Sequence, residues 1–135
     1  MKLKAVSLFS GCGGLDWGFH QLGVEIVAAI DNDQAAIKCY NHNFGKGGLC
    51  LSVNDPEFKN RIHKIGKVDI VIGGFPCQGF SKSGPKKKDD PRNTLYESMV
   101  YAIQILKPTI FVAENVDGLA QNYKGELLSD RKSVV

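Results

Sequence analysis

The chain has 135 residues, 43% of them hydrophobic and 23% charged, with a formal net charge of +3. That length suits one domain able to bury a core, and the balance excludes a disordered tract; no apolar run approaches the roughly 18–20 residues of a membrane span. The small positive excess is only a weak pointer to a polyanionic partner.

The opening "MKLKAVSLFSGCGG" has a short apolar run but no long apolar core and no small-residue cleavage site. No secretory signal is expected, and the chain is assigned to the cytoplasm. "KAVSLF" (4–9) reads as a strand running into the glycine-rich "SGCGG" (10–14). Leu15, Phe19 and Leu22 then recur at helical spacing up to Gly23, a C-terminal stop. "VEIVAAI" (24–30) reads as a second strand ending in "DND", and "QAAIKCYNHNF" (34–44) as a helix with Ala36, Ile37 and Tyr40 on its apolar face. "LCLSV" (49–53) is a short strand candidate. Asp55-Pro56 is an N-cap followed by proline at the first helical position, opening a helix that carries Phe58, Ile62 and Ile65. "VDIVIGG" (68–74) is the fourth strand. Asp90-Pro91 repeats the cap signal and is expected to open a helix with Leu95, Met99, Ala102, Ile103 and Leu106 as its buried stripe, stopped by Lys107-Pro108. "TIFVAEN" (109–115) is the fifth strand, and no repeat or interdomain linker breaks the pattern.

Alternating strands and helices imply an α/β fold with a parallel sheet covered on both faces. Right-handed crossovers make the doubly wound order 3-2-1-4-5 the natural topology. In such sheets ligands bind beyond the carboxyl ends of the strands. The unusual residues all fall there: the glycine loop after strand 1, Asp31 and Asp33 after strand 2, Pro76-Cys77-Gln78 after strand 4, and Glu114-Asn115 after strand 5.

Gly11-x-Gly13 starts a dinucleotide-type turn, but the third glycine position holds Asp16. The loop is therefore either a tight turn over a smaller, adenosine-like ligand or a plain strand-to-helix joint. A carboxylate at Asp31 can take both hydroxyls of a ribose, while Asp33 reads as a helix cap. The four cysteines, Cys12, Cys39, Cys50 and Cys77, form no C-x-x-C pair, so no metal site is expected. A cytosolic setting disfavours disulfides, leaving each as a buried small hydrophobe or a reactive thiol. Cys77 is the exception by placement, since a thiol in a proline- and glycine-flanked loop at a ligand rim can be a nucleophile. Glu114 closes an apolar strand, where a half-buried carboxyl with a raised pKa would donate a proton. The basic run "KSGPKKKDDPR" (82–92) is either a solvated loop or a set of phosphate contacts. Nucleophile, acid and adenosine-type turn on one rim suggest group transfer to an electron-poor ring.

"SLFSGCGGLDWGF", "GGFPCQGFS", "DDPRNTL" and "FVAENVDGL" together resemble, in order, motifs of the cytosine-5 DNA methyltransferases. The resemblance covers nearly the whole chain and matches the N-terminal part of that family's catalytic domain, with its Rossmann-like S-adenosylmethionine-dependent fold. It implies S-adenosyl-L-methionine as cofactor and double-stranded DNA as partner. Phe9 would pack on the adenine, Gly11 and Gly13 would shape the turn at the methionine end, and Asp31 would stand at the ribose where the family usually has Glu. Ser10, Asn32, Thr94 and Leu95 would complete the cofactor set. Cys77 would be the nucleophile, Glu114 would meet the Watson–Crick edge of the cytosine, Asn115 would hold the catalytic loop, and Pro76 would shape it. Gln78, Ser81, Lys82 and Arg92 would contact DNA.

The implied chemistry requires a base flipped out of the duplex. Two departures stand out. Ser52 occupies the place where the family usually offers an acid to the adenine amino group. The chain also ends at "GELLSDRKSVV", about twenty residues beyond "ENV", leaving no room for the family's target-recognition region. The expectation is an incomplete enzyme, inactive alone. The alternatives are a split subunit completed by a second chain, a non-catalytic cofactor-binding remnant, or the RNA-methylating branch. An uncovered fifth strand should also favour self-association.

Overall fold

The computed structural model describes residues 2–76 and 95–115. Among them the chain alternates strand and helix throughout. In order it forms β1 (Lys4–Leu8), α1 (Gly14–Gln21), β2 (Glu25–Asp31), α2 (Gln34–Phe44), β3 (Gly48–Cys50), α3 (Pro56–Ile65), β4 (Ile70–Gly73), α4 (Tyr96–Leu106) and β5 (Ile110–Ala113). The five strands make one sheet in the order β3-β2-β1-β4-β5, every neighbouring pair parallel. This is the doubly wound α/β topology expected from the sequence.

β1 runs through the middle because its residues suit burial on both faces. Ala5, Val6, Ser7 and Leu8 are all buried, and they pair with β2 on one side and β4 on the other. The pleat sends alternate residues to opposite layers. Val6 and Leu8 join Ile30, Phe58, Ile62, Val71, Met99, Ala102 and Leu106 in the larger core under α3 and α4. Ala5 joins Val24, Ile70 and Ile72, with Phe19 of α1 packed against them, in the smaller one.

The predicted caps hold α2 and α3. Asp33 Oδ1 accepts from the N–H groups of Ala35 and Ala36 at 2.8 and 3.1 Å. Asp55 Oδ1 accepts from Glu57 N–H at 2.8 Å, with Pro56 in the first helical turn. Both satisfy amide groups that a helix start leaves without partners.

Four expectations are corrected. Of the apolar stripe expected for α1 only Phe19 packs on the sheet: Leu15 and Leu22 are exposed, while Asp16 is fully buried. The left-handed Gly13 at the N-cap (φ 92) sets the phase of this helix, and that phase turns Asp16 onto Ser7 of β1. Second, α4 begins at Tyr96 after Leu95, with no side-chain cap, and the expected cap Asp90-Pro91 lies outside the described residues. Its buried residues are Met99, Ala102 and Leu106, while Leu95 and Ile103 are only half-buried. Third, β3 is shorter than its candidate because only Gly48, Leu49 and Cys50 pair with β2 at this sheet edge. Finally, Cys12, Cys39 and Cys50 are exposed, on a loop, a helix and an edge strand, and none fills the core. At the other edge β5 leaves Ile110 and Phe111 exposed. No helix among the described residues is long and apolar enough to cross a membrane.

The packing of the glycine loop is directly testable. A Cβ on Gly13 would lie 2.3 Å from Phe44 Cε2, and that ring is held by stacking on Tyr40 at 4.3 Å. Gly11 has a positive φ but open space around a new Cβ. Gly13→Ala should cost about 2–4 kcal/mol of stability, from strain plus overpacking, and Gly11→Ala only about 1–2 kcal/mol, from strain alone. Urea unfolding of the two variants beside the parent chain checks the order.

Candidate active site

The site begins where β1 ends. Phe9 has φ 55, a left-handed conformation that is costly for a bulky residue. The surrounding bonds hold it there. Ser10 N–H donates to Ile30 O at 3.2 Å, and Gly13 N–H closes the turn on Ser10 O at 2.9 Å. Gly11 N–H donates to Asp31 Oδ2 at 2.8 Å, while Asp31 Oδ1 accepts from Asp33 N–H at 2.9 Å. The Asp31 carboxylate thus stitches the loop after β1 to the loop after β2.

Turned out of the strand, the Phe9 ring becomes the wall shared by two clefts. One, of about 250 Å³, is lined by Phe9, Asp31, Asn32, Ser52, Pro76 and Leu95. The other, of about 370 Å³, is lined by Phe9, Ser10, Asp16, Gly74 and Glu114 among others. The fold therefore gathers Phe9, Ser10, Asp31, Asn32, Pro76, Leu95 and Glu114 from four strand ends and α4 onto one rim. Gly11 sits beside them as the donor to Asp31. Gly13 shapes the same turn, but the Cβ it lacks would point at Phe44 and Tyr40, so its glycine answers to helix packing and not to ligand access. Ser52 lines the first cleft, and its hydroxyl accepts from Asn54 N–H at 3.2 Å in a local turn.

A buried polar group that sequence reasoning passed over lies beneath the second cleft. Ser7 Oγ donates to Asp16 Oδ1 at 2.6 Å. Asp16 Oδ2 and Ser10 Oγ are buried with no hydrogen-bond partner among the described residues. The Tyr40 hydroxyl approaches the Asp16 carboxyl from α2 without forming a well-aligned hydrogen bond. Burial pushes the Asp16 pKa up, against the hydrogen bond from Ser7 and the nearby Tyr40 hydroxyl, which favour its charged form. Burial also raises the Tyr40 pKa, and the neighbouring Asp16 charge adds to the effect. The signal available was Asp16 itself, an acid where a nucleotide-type turn has the glycine that lets helix and strand approach closely.

The segments after β4 and β5 are bonded to each other. Asn115 Nδ2 donates to Phe75 O at 2.8 Å, and Glu114 N–H to Gly73 O at 2.9 Å. The Glu114 carboxylate lies over Gly74, with Oε2 3.3 Å from where a Cβ would stand. Glu114 is exposed, not half-buried as expected, because it follows an edge strand that nothing among the described residues covers. Cys77, Gln78, Ser81, Lys82, Arg92 and Thr94 lie outside the described residues, as does the basic run 82–92. Among the described residues no three acidic, histidine or cysteine side chains converge as a metal site.

A parallel 3-2-1-4-5 sheet, a glycine turn tied to an acid at the second strand end, and paired clefts at the carboxyl rim define an open α/β domain of the nucleotide-binding type. The chain belongs to the C-5 cytosine-specific DNA methylase family, whose model matches residues 3–134. It is 44% identical over 130 residues to the Type II methyltransferase M.XorII of Xanthomonas oryzae pv. oryzae, covering 93% of this chain and 31% of that one. It is 35% identical over 155 residues to the Type II methyltransferase M.BsuRI of Bacillus subtilis, covering 95% of this chain and 35% of the relative. A prophage-encoded DNA modification methyltransferase (E. coli) superposes with a TM-score of 0.80 at 33% identity, over 99% of this chain and 38% of that one. The S. pombe Dnmt2 methyltransferase shares the fold with a TM-score of 0.75 at 21% identity, over 99% and 40%. The chain thus spans about a third of the length of the curated relatives it matches.

Asp16 should leave a mark on the pH dependence of stability. Its pKa in the folded chain is raised from the ordinary 3.8, so folding favours the protonated form. The stabilisation tied to that proton is complete at low pH and is lost as pH rises through the raised value. Asp16→Asn removes the titration while keeping a partner for Ser7. The stability difference should therefore move in favour of Asp16→Asn as pH rises from the ordinary 3.8 through the raised value, then level off. Urea unfolding of both proteins at a series of pH values measures it.

Proposed function

We propose that this chain is the cofactor-binding and nucleophile-bearing part of a DNA (cytosine-5)-methyltransferase. The observation that carries the reading is the pair of clefts meeting at Phe9, one with Asp31 and Asn32 on its wall, the other with Glu114. The donor set suits S-adenosyl-L-methionine. The Phe9 ring offers a face for an adenine, and Asp31 keeps lone pairs for ribose hydroxyls after accepting two amide bonds. Ser10 Oγ, buried and without a partner among the described residues, can serve the polar methionine end, beside the start of α1. Bound there, the cofactor supplies a methyl group on a positively charged sulfur.

The chain's own residues prepare the base. Cys77 adds as a thiolate to carbon 6 of a cytosine turned out of the duplex, which makes carbon 5 enamine-like. Glu114 holds ring nitrogen 3 and stabilises the adduct. Asn115, through its bond to Phe75 O, positions the segment that leads to Cys77. Once carbon 5 has taken the methyl group, loss of its proton to a base and expulsion of the thiolate would restore aromaticity. Pro76 borders the cofactor cleft one residue before the nucleophile, which couples the two sites. Gln78, Ser81, Lys82 and Arg92 meet the DNA, and Thr94 joins Leu95 at the cofactor.

The domain assignment follows: residues 1–135 form the N-terminal part of the catalytic domain. Target recognition falls to sequence that the longer relatives carry beyond the matched third, supplied to this chain in cis or by a second chain. The exposed Ile110 and Phe111 on edge strand β5 support self-association when that partner surface is missing.

The decisive measurement incubates the chain, alone and with a complementing C-terminal chain of a relative, with S-adenosylmethionine and DNA carrying 5-fluorocytosine. A covalent adduct mapping to Cys77, absent in Cys77→Ser, is expected with the complementing chain and weak or missing without it. Cofactor binding with no adduct under either condition would overturn catalysis and leave a binding remnant. In calorimetric titration, Phe9→Ala and Asp31→Ala should each weaken cofactor binding about 10–100-fold, a loss of a stacked face or of a charge-assisted bond.

A further inference from the structure

A third cleft, of about 370 Å³, lies between α3 and α4 and has no part in the chemistry described above. Phe58 of α3 and Tyr101 of α4 both line it, with ring centroids 6.4 Å apart and planes tilted by 47°. The Tyr101 ring is held on two sides. Its hydroxyl hydrogen-bonds His63 Nε2 at 2.9 Å, and Lys59 Nζ lies 5.4 Å from its centroid. This cleft meets the one that contains Asp31, because the half-buried Val53 and Leu95 line both. The sheet order says what would face that junction. β3 lies beyond β2 on the side away from β1, and as the chain leaves β3 the Leu51 N–H donates to Asp31 O at 2.8 Å. A nucleoside with its ribose on Asp31 and its base on Phe9 therefore points that base toward Ser52, Val53 and Leu95. The six-membered ring of adenine, with its amino group, is the part of the base farthest from the ribose. No acid waits there, since Asp31 is the only acidic residue lining that cleft, and Ser52 Oγ already accepts from Asn54 N–H at 3.2 Å.

We propose that the cleft between α3 and α4 is a subsite for an aromatic group carried on the amino nitrogen of an adenosyl ligand. The chain then accepts adenosyl ligands with an arylmethyl substituent at that nitrogen, which a site closed at the amino edge would reject. Val53 and Leu95 form the junction that the substituent crosses. Tyr101, backed by Phe58, supplies the ring that the aryl group packs on, in the tilted or edge-to-face manner that aromatic pairs favour. An amino nitrogen with one arylmethyl group keeps one hydrogen, and Ser52 Oγ has a second lone pair to accept it. A carboxylate at the same place would instead bind the whole amino edge and select for the unsubstituted base. The inference rests on the cofactor reading given above and adds to it which edge of the ligand this chain leaves unread.

The test is calorimetric titration of the full chain with S-adenosylhomocysteine and with the same ligand benzylated on its amino nitrogen. The benzyl ligand should bind within about 10-fold of the plain one, or tighter, whereas a closed edge would be overpacked and lose more than that. Tyr101→Ala should weaken the benzyl ligand about 3–10-fold, the worth of one aromatic contact, and leave the plain ligand within about twofold. Tyr101→Phe, which keeps the ring, should bind both like the parent chain. Photolabelling with the azidobenzyl ligand reads the same point on the unaltered chain, and the label should map to residues 53–59 or 95–104. A benzyl ligand weaker than the plain one by more than about 10-fold, equal losses of both ligands in Tyr101→Ala, or a label elsewhere would overturn the proposal and leave the cofactor reading standing. Failure of S-adenosylhomocysteine itself to bind the parent chain would overturn both.

Discussion

The rim of this sheet depends on one carboxylate. Asp31 accepts a hydrogen bond from Gly11 on one oxygen and from Asp33 on the other, so a single side chain fixes the loops after both β1 and β2. Without that tie, the left-handed Phe9 and the glycine turn that follows would lose part of what holds them against their strain. With it, the Phe9 ring stands between two clefts and becomes a wall of each. The same acid is then available to a ligand with its geometry already set, which lowers the ordering cost of binding.

Beneath that rim the molecule accepts a buried polar cluster where a nucleotide-type turn has a glycine. Asp16 sits fully buried under β1, bonded to Ser7 and approached by Tyr40. A buried acid is costly unless its partners offset the loss of water, and here only one oxygen is fully served. What the arrangement contributes is position. It sets the rotation of α1 and, with the packing of Phe44 and Tyr40 on Gly13, the entry of the glycine loop. Membership of the C-5 cytosine-specific DNA methylase family accords with this architecture, since the matched region covers the sheet and both cleft walls.

Much of this was legible in advance because it depends on local chemistry. Asp33 and Asp55 cap their helices as read, since an acid before a helix start can satisfy the first amides whatever the rest of the chain does. The bounds of α2 agree with the reading residue for residue. Strand order followed from alternation and crossover handedness, and with it the gathering of Asp31, Pro76 and Glu114 on one side. The misreadings share a cause. Leu15 and Leu22 had helical spacing, but spacing does not say which face meets the sheet, and Gly13 settled that by its left-handed turn. The exposure of Glu114 and of three cysteines likewise depends on which strands lie at the edges and which helix faces point outward.

The sequence by itself determined the class of fold, the starts of α2 and α3, the family and the rim on which the chemistry-bearing residues collect. Each of these follows from periodicity, capping or residue order along the chain. Only the tertiary structure decided that Asp16 is buried, that Gly13 makes room for α2, and that Asp31 ties two loops. These are contacts between segments distant in the chain, and the strand order that brings them within reach says nothing of side-chain direction until the helices have docked.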